Sequence, residues 1–361
     1  MSPLHRRIGR LAIVGFDGLV VPPELRSLAR EFDLGGIILF ARNVDEPAQV
    51  ADIARETAEM ARGLPLWVSV DQEGGRVARL RRPFTEWPPM VTLGRSGDAG
   101  LADRFARALA REVHAVGISL DYTPVLDVRT NPANEVIGDR ALDTRAEEVA
   151  RLGAVIVRAL QEEGVAACGK HFPGHGDTTA DSHHELPLVE HPPDRLRAVE
   201  YLPFRAAIEA EVAAVMTAHV LVPALDADRP ATLSHRIITG VLREELGFQG
   251  VVFSDDLEMK AIANSYAVGT AAIEAVAAGC DGLLLCGSDH GVQAAALEAI
   301  VHAVESEVIP RTRIDDAMQR QRRQKERFLA RETAPASLAD LRSVLGRDEH
   351  QAIAKEMARF L

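Results

Sequence analysis

Residues 144–168, TRAEEVARLGAVIVRALQEEGVAAC, spell out one helix followed by one strand. Thr144 with Glu147 three positions on has the form of a capping box, in which two side chains satisfy free amides at the helix start. Val149, Leu152, Ile156 and Leu160 recur at helical spacing and turn one apolar face toward a core. Gly164 supplies the stop, because glycine accepts the left-handed backbone that ends a helix. The apolar run 165–168 then reads as a strand.

The same unit recurs on either side. Short apolar runs stand at 11–16 (LAIVGF), 36–40 (GIILF), 66–70 (LWVSV) and 118–120 (ISL), and again at 214–216 (AVM), 251–253 (VVF) and 282–286 (GLLLC). Strands apolar on both faces belong to parallel sheets covered by helices. With 165–168 they make eight strands alternating with helices, which predicts an α/β fold, a (β/α)8 TIM-type barrel. A doubly wound sheet is the rival, but no GxGxxG follows the first strand. At about 150 residues per domain a chain of 361 residues suggests two, yet a barrel absorbs nearly all of it. The expected division is a catalytic barrel over 1–330 and a C-terminal helical extension over 331–361, packed on the barrel or partly mobile. Within that extension the reading is a loop and one further short helix. Residues 314–329 read as a helix, and the run Arg320, Arg322, Arg323, Lys325, Arg327 as its solvated face.

Composition narrows the function. Forty-one Lys and Arg against 53 Asp and Glu give a net charge of −12, which argues against broad binding to nucleic acid or anionic membrane. The three cysteines, Cys168, Cys280 and Cys286, form no CxxC pair, so a reducing compartment is expected rather than a disulfide framework. The apolar run 11–16 behind His5, Arg6, Arg7 and Arg10 is shorter than the roughly 7–15 residues of a signal peptide core. The expectation is a cytoplasmic protein without a membrane span.

In a parallel barrel the C-terminal ends of the strands carry the chemistry. Asp71, Asp121, Lys170 with His171, His219, and Ser254 with Asp255 and Asp256 all stand at predicted strand ends. That convergence predicts a polar pocket with several carboxylates. His171 and His175 are four apart, but Pro173 and Gly174 between them disfavour a zinc-binding helix, and no ligand spacing is met; neither metal nor cofactor is expected. Asp181, two residues before His183 on a glycine-rich segment, can orient its imidazole and favour the protonated form. Structural hydrogen bonding is the reading for Asp121 and Asp127. For Asp256 it is a helix cap or a carboxylate supporting its neighbour.

The motifs GGIILFARN (35–43), DQEGGRV (71–77), LDYTPVLDV (120–128), VIGDRAL (136–142), KHFPGHGD with ADSH (170–177 and 180–183) and LREELGFQGVVFSDD (242–256) follow in order. On them the chain resembles the bacterial β-N-acetylglucosaminidases of glycoside hydrolase family 3, the single-domain peptidoglycan-recycling branch. Ala141 is one departure, since members commonly carry Ser there. The resemblance implies Asp255 as nucleophile, His183 as acid and base, Asp181 as its dyad partner, and Asp71, Arg79, Arg140, Lys170 and His171 as holders of the sugar. It implies removal of terminal N-acetylglucosamine from anhydro-muropeptides through a covalent intermediate, with no nucleic-acid, membrane or obligate protein partner. Two alternatives stay open on the same residues: a phosphorylase in which phosphate replaces water, and a metal-dependent hydrolase using the His/Asp cluster.

Overall fold

The structure is a computed structural model, and it describes residues 2–178, 186–329 and 338–361. Eight parallel strands close on themselves: β1 (Ala12–Val14), β2 (Gly36–Leu39), β3 (Trp67–Val70), β4 (Leu120–Asp121), β5 (Ala166–Phe172), β6 (Ala214–Thr217), β7 (Val251–Asp256) and β8 (Gly282–Leu285). Each strand pairs with its neighbours in sequence, and β1 closes on β8. The predicted (β/α)8 barrel is the observed fold.

Continuous apolar runs follow from the two surfaces each strand must cover. Ile13, Ile38, Trp67, Leu120, Phe253 and Leu284 form one cluster inside the barrel. Their strand neighbours Ala12 and Val14, Ile37 and Leu39, and Leu283 and Leu285 join a separate, larger cluster beneath the helices. Alternation is present, but both partners are apolar because neither face meets water.

Two strands run past the predicted ends. β5 continues to Phe172 and β7 to Asp256, so Lys170, His171 and Asp255 lie on strand backbone, not on loops beyond it. That matters for precision, because a side chain on a paired strand has little freedom to drift.

Helix α1 (Ala99–Ala115) and helix α2 (Ala146–Glu162) pack side by side on the barrel. In α2 the predicted stripe Val149, Leu152, Ile156 and Leu160 is buried, and Gly164 just beyond its end takes a φ of +87°. The capping box is not formed. Arg145 occupies the N-cap without a side-chain cap bond, and Asp143 accepts the Arg145 amide at 2.9 Å.

The expected solvated face of the next helix, α3 (Arg311–Leu329), is also corrected. Arg322, Arg323 and Arg327 are exposed, but Lys325 is buried at 1% exposure and its Nζ donates to the carbonyls of Gly35 and Pro65, both at 2.7 Å. Gln321 accepts from the Trp67 indole at 3.1 Å, and Phe328 and Leu329 pack against the inner cluster. The helix therefore stops the N-terminal mouth of the barrel. A polar sequence face became a buried one because its long side chains reach carbonyls near the strand starts.

The tail carries two short helices rather than one, α4 (Leu338–Val344) and α5 (Asp348–Met357), with Leu341, Leu345, Ile353 and Met357 in the outer core. Among the described residues no helix is long and apolar enough to cross a membrane.

Candidate active site

A cavity of about 460 Å³ opens at the C-terminal ends of the strands. Asp71, Arg79, Arg140, Lys170, His171 and Asp255 all line it. Of the residues named from sequence, only Asp181 and His183 lie outside the described residues.

The charges in this cavity are ordered by a residue that sequence reading missed. Directly after β3 the chain makes a two-stranded hairpin, Gln72–Gly74 against Val77–Ala78, turned by Gly74 and Gly75 at φ +110° and +57°. A side chain at either glycine would be strained, and Cβ atoms there would press Pro88 and Pro89 at 2.8 and 2.9 Å. This tight turn sets Glu73 inside the barrel rim at 1% exposure. Its carboxylate accepts two parallel bonds from Arg140, at 2.9 and 2.8 Å, and pairs with Lys170 Nζ at 2.6 Å. Lys170 also donates to Asp71 at 2.7 Å, while Arg79 reaches the other Asp71 oxygen at 3.4 Å.

Burial by itself would push the Glu73 and Asp71 carboxyls up. The charges of Arg140 and Lys170 overcome this for Glu73, and those of Lys170 and Arg79 for Asp71, so both are held below the usual carboxylate range. Burial would likewise lower Lys170, but the two carboxylates outweigh it and keep the ammonium charged. The result is a fixed lattice of ions with donors and acceptors turned to the cavity, suited to sugar hydroxyls and amides.

Asp127 holds the opposite wall. It pairs with His171 Nδ1 at 2.7 Å and accepts the amides of His171 and His175, in keeping with the structural reading. Asp121 likewise accepts the Gln72 amide at 2.9 Å, and burial raises its carboxyl well above the usual range. His175 lines the cavity, and burial lowers it to about 4. Ala141 sits in a small apolar cluster with Val125 and Ile137.

Asp255 stands on β7 and accepts the Asp256 amide at 2.8 Å. Asp256 is not a helix cap, since the next helix is capped at Met259. Its Oδ1 accepts the amides of Glu258 and Cys286, both at 3.1 Å, and burial lifts its carboxyl to about 7. Asp255 is thus backed by a carboxyl whose burial favours the protonated form, which limits repulsion between the adjacent pair.

Phe40 and Arg42, at the end of β2, also line the cavity and were not singled out. Arg42 lies over the Phe40 ring at 4.5 Å and Arg79 at 5.6 Å. Their signal was the unusual close FAR after a strand, in a chain with 4% aromatics. Among the described residues no group of His, Cys, Asp and Glu gathers in a way that could hold a metal ion.

Acids, cations and a strand-borne carboxylate converge on the C-terminal rim of a parallel barrel, the place where enzymes of this architecture carry their active sites. The particular family follows from comparison with known proteins. The pattern of the glycosyl hydrolase family 3 N-terminal domain matches residues 4–323, and the chain belongs to glycosyl hydrolase family 3. It is 35% identical to beta-hexosaminidase A of Pseudoalteromonas piscicida over 94% of this chain and 60% of that protein. A family 3 beta-N-acetylglucosaminidase from Paenibacillus sp. str. FPU-7 superposes with a TM-score of 0.95 at 44% identity, over all of this chain and 69% of that one. NagZ from Neisseria gonorrhoeae, solved in complex with N-trifluoroacetyl-D-glucosamine, gives a TM-score of 0.79 at 31% identity over 97% of both chains. The chain therefore spans less than two thirds of the first relative and nearly the full length of the last.

Proposed function

We propose that the chain is a β-N-acetylhexosaminidase, specifically a retaining exo-β-N-acetylglucosaminidase that removes the non-reducing terminal sugar from anhydro-muropeptides during cell-wall recycling in the cytoplasm. The observation that carries this reading is the shared cavity. Asp255 lines the same space as Asp71, Arg79, Arg140 and Lys170, so a sugar held by those side chains lies beside a carboxylate. The names of the relatives support the choice of sugar.

A glycosidic bond breaks through an oxocarbenium-like state that needs a carboxylate beneath the ring and a proton at the leaving oxygen. Asp255 attacks the anomeric carbon, and the bond to the aglycone oxygen breaks as that oxygen takes the proton of His183. Asp181 keeps that imidazole charged beforehand. Water, deprotonated by the now neutral His183, then releases the sugar from Asp255 with net retention. His183 and Asp181 hold these roles on the resemblance alone.

A chromogenic β-N-acetylglucosaminide is expected to be cleaved far better than the matching β-glucoside; equal specificity constants would refute the choice of sugar. His183→Ala is expected to slow unactivated substrates severely and spare an activated aryl glycoside, whose leaving group needs little protonation. An equal slowing of both in the glycosylation step would remove His183 from the role of acid.

A further inference from the structure

The C-terminal helices α4 and α5 lie beyond the residues matched by the family pattern, and none of their residues lines the cavity. They meet instead the segment 71–90, which carries Asp71, Glu73 and Arg79. The meeting point is Glu112 of α1, buried at 1% exposure. One of its carboxylate oxygens takes three contacts from two directions: the Thr85 hydroxyl at 2.7 Å, and from the tail the Gly346 amide at 2.9 Å and His350 Nδ1 at 2.7 Å. The other accepts the Thr85 amide at 2.8 Å. Gly346, at φ +59°, leaves no room for a Cβ, which would lie 2.3 Å from the Pro83 carbonyl oxygen.

The path continues to the cavity in fixed steps. Two residues past Thr85, Trp87 packs edge-on against Phe105 of α1, ring centroids 5.1 Å apart, and its carbonyl accepts the Gly75 amide at 2.8 Å. Gly75 turns the hairpin that holds Glu73. Gln72 then closes the segment on itself, accepting the amides of Arg79 and Leu80 at 2.8 and 3.0 Å.

We propose that the tail is a positioning element for substrate binding: through the Glu112 hub, His350 and Gly346 brace the 71–90 segment and so place Asp71 and Arg79 in the cavity, with Glu73 behind them holding Arg140 and Lys170. The proposal rests on the hydrolase reading for its kinetic consequence and on geometry alone for its structural one. An unshared buried carboxylate is costly, so Glu112 commits both Thr85 and the tail to one arrangement.

His350→Leu removes one contact of the hub, and His350→Asn, whose side-chain amide falls near the lost Nδ1, restores it. His350→Leu is expected to raise KM about tenfold with kcat within about twofold, since a shift of the binding groups costs affinity before chemistry. His350→Asn recovers most of that loss. In an Arg79→Ala background the effect of His350→Leu is expected to shrink, because both act through one segment; additive effects would overturn the proposal. Amide hydrogen exchange reads the brace without any substrate: Gly75, Arg79 and Leu80 should lose protection while the β5 and β7 amides keep theirs. Unchanged protection in 72–90, or an equal loss throughout the chain, would also overturn it. If His350→Leu fails to fold, Thr85→Val, which removes the hydroxyl that ties the segment to Glu112 and leaves the tail's own contacts in place, carries the same exchange comparison. A wild-type chain inactive on the N-acetylglucosaminide would refute the hydrolase reading, and the exchange result would still decide the brace.

Discussion

The two mouths of the barrel both bury charge, and they do it to opposite ends. At the N-terminal mouth, Asp281 is fully buried and is met by Arg243, by Arg313 at 2.6 Å and by the Val252 amide at 3.0 Å. Lys325 donates to two carbonyls, both at 2.7 Å. These groups are satisfied from within the protein. At the C-terminal mouth the same residue types face a cavity, and one pair is loose: Arg79 and Asp71 stand 3.4 Å apart, with 26% and 16% of their side chains exposed. Buried charge stabilises one end by being saturated and equips the other by being left partly unsaturated.

The sharpest way to test this contrast is to remove the reacting group from the open end. Asp255→Ala is expected to lower turnover by more than about a thousandfold, because the covalent route vanishes with the nucleophile. Its Tm should stay near wild type, since that side chain's hydrogen bond is to the next residue's amide. Wild-type turnover in this variant would move suspicion to Asp256.

Glu73→Gln attacks the lattice rather than the chemistry. It withdraws the carboxylate that Arg140 and Lys170 share, leaving two buried cations short of a partner. A fall in kcat/KM on the order of a hundredfold is expected, together with a lower Tm, because breaking a buried pair costs about 3–5 kcal/mol. Unaltered kinetics would mean that the two cations keep their places without it.

The smallest effect on activity belongs to the closed end. Lys325→Met should leave turnover within about twofold, yet change how stability follows pH. Burial, and then the charge of Arg10, lower Lys325 to about 7, while in the unfolded chain a lysine titrates near 10.4. Between those values the unfolded chain binds the extra proton, so wild-type stability should rise with pH, by at most about 1.4 kcal/mol per unit from this group. Denaturant unfolding at pH 7 and pH 9 reads the slope, and the variant should lose that part of it. An identical slope in both proteins would show that Lys325 stays charged in the fold.

Much of this was legible in the sequence. Each of the eight apolar runs is a strand, and the stripe of α2 is buried, because these patterns depend only on the local period of the chain and on covering two faces. Asp71, Lys170, His171 and Asp255 reach one rim for the same reason: the ends of parallel strands meet wherever such a barrel closes. Where a choice lay between near neighbours, local reading lost. Thr144 and Glu147 have the spacing of a capping box, yet the helix begins at Ala146 behind Arg145 with no side-chain cap bond, because the path of the entering chain decides where it starts.

Tertiary structure alone decided which charges are spent and which are free. Glu73 meets Arg140 across 67 residues and Lys170 meets Asp71 across 99, while Lys325 finds Gly35 across 290. Nothing in the composition of α3 separates Lys325 from the exposed arginines around it. Periodicity places a side chain on a face, but its burial, its partners and its protonation depend on distances of a few ångströms to atoms far along the chain, and those exist only once the barrel has closed.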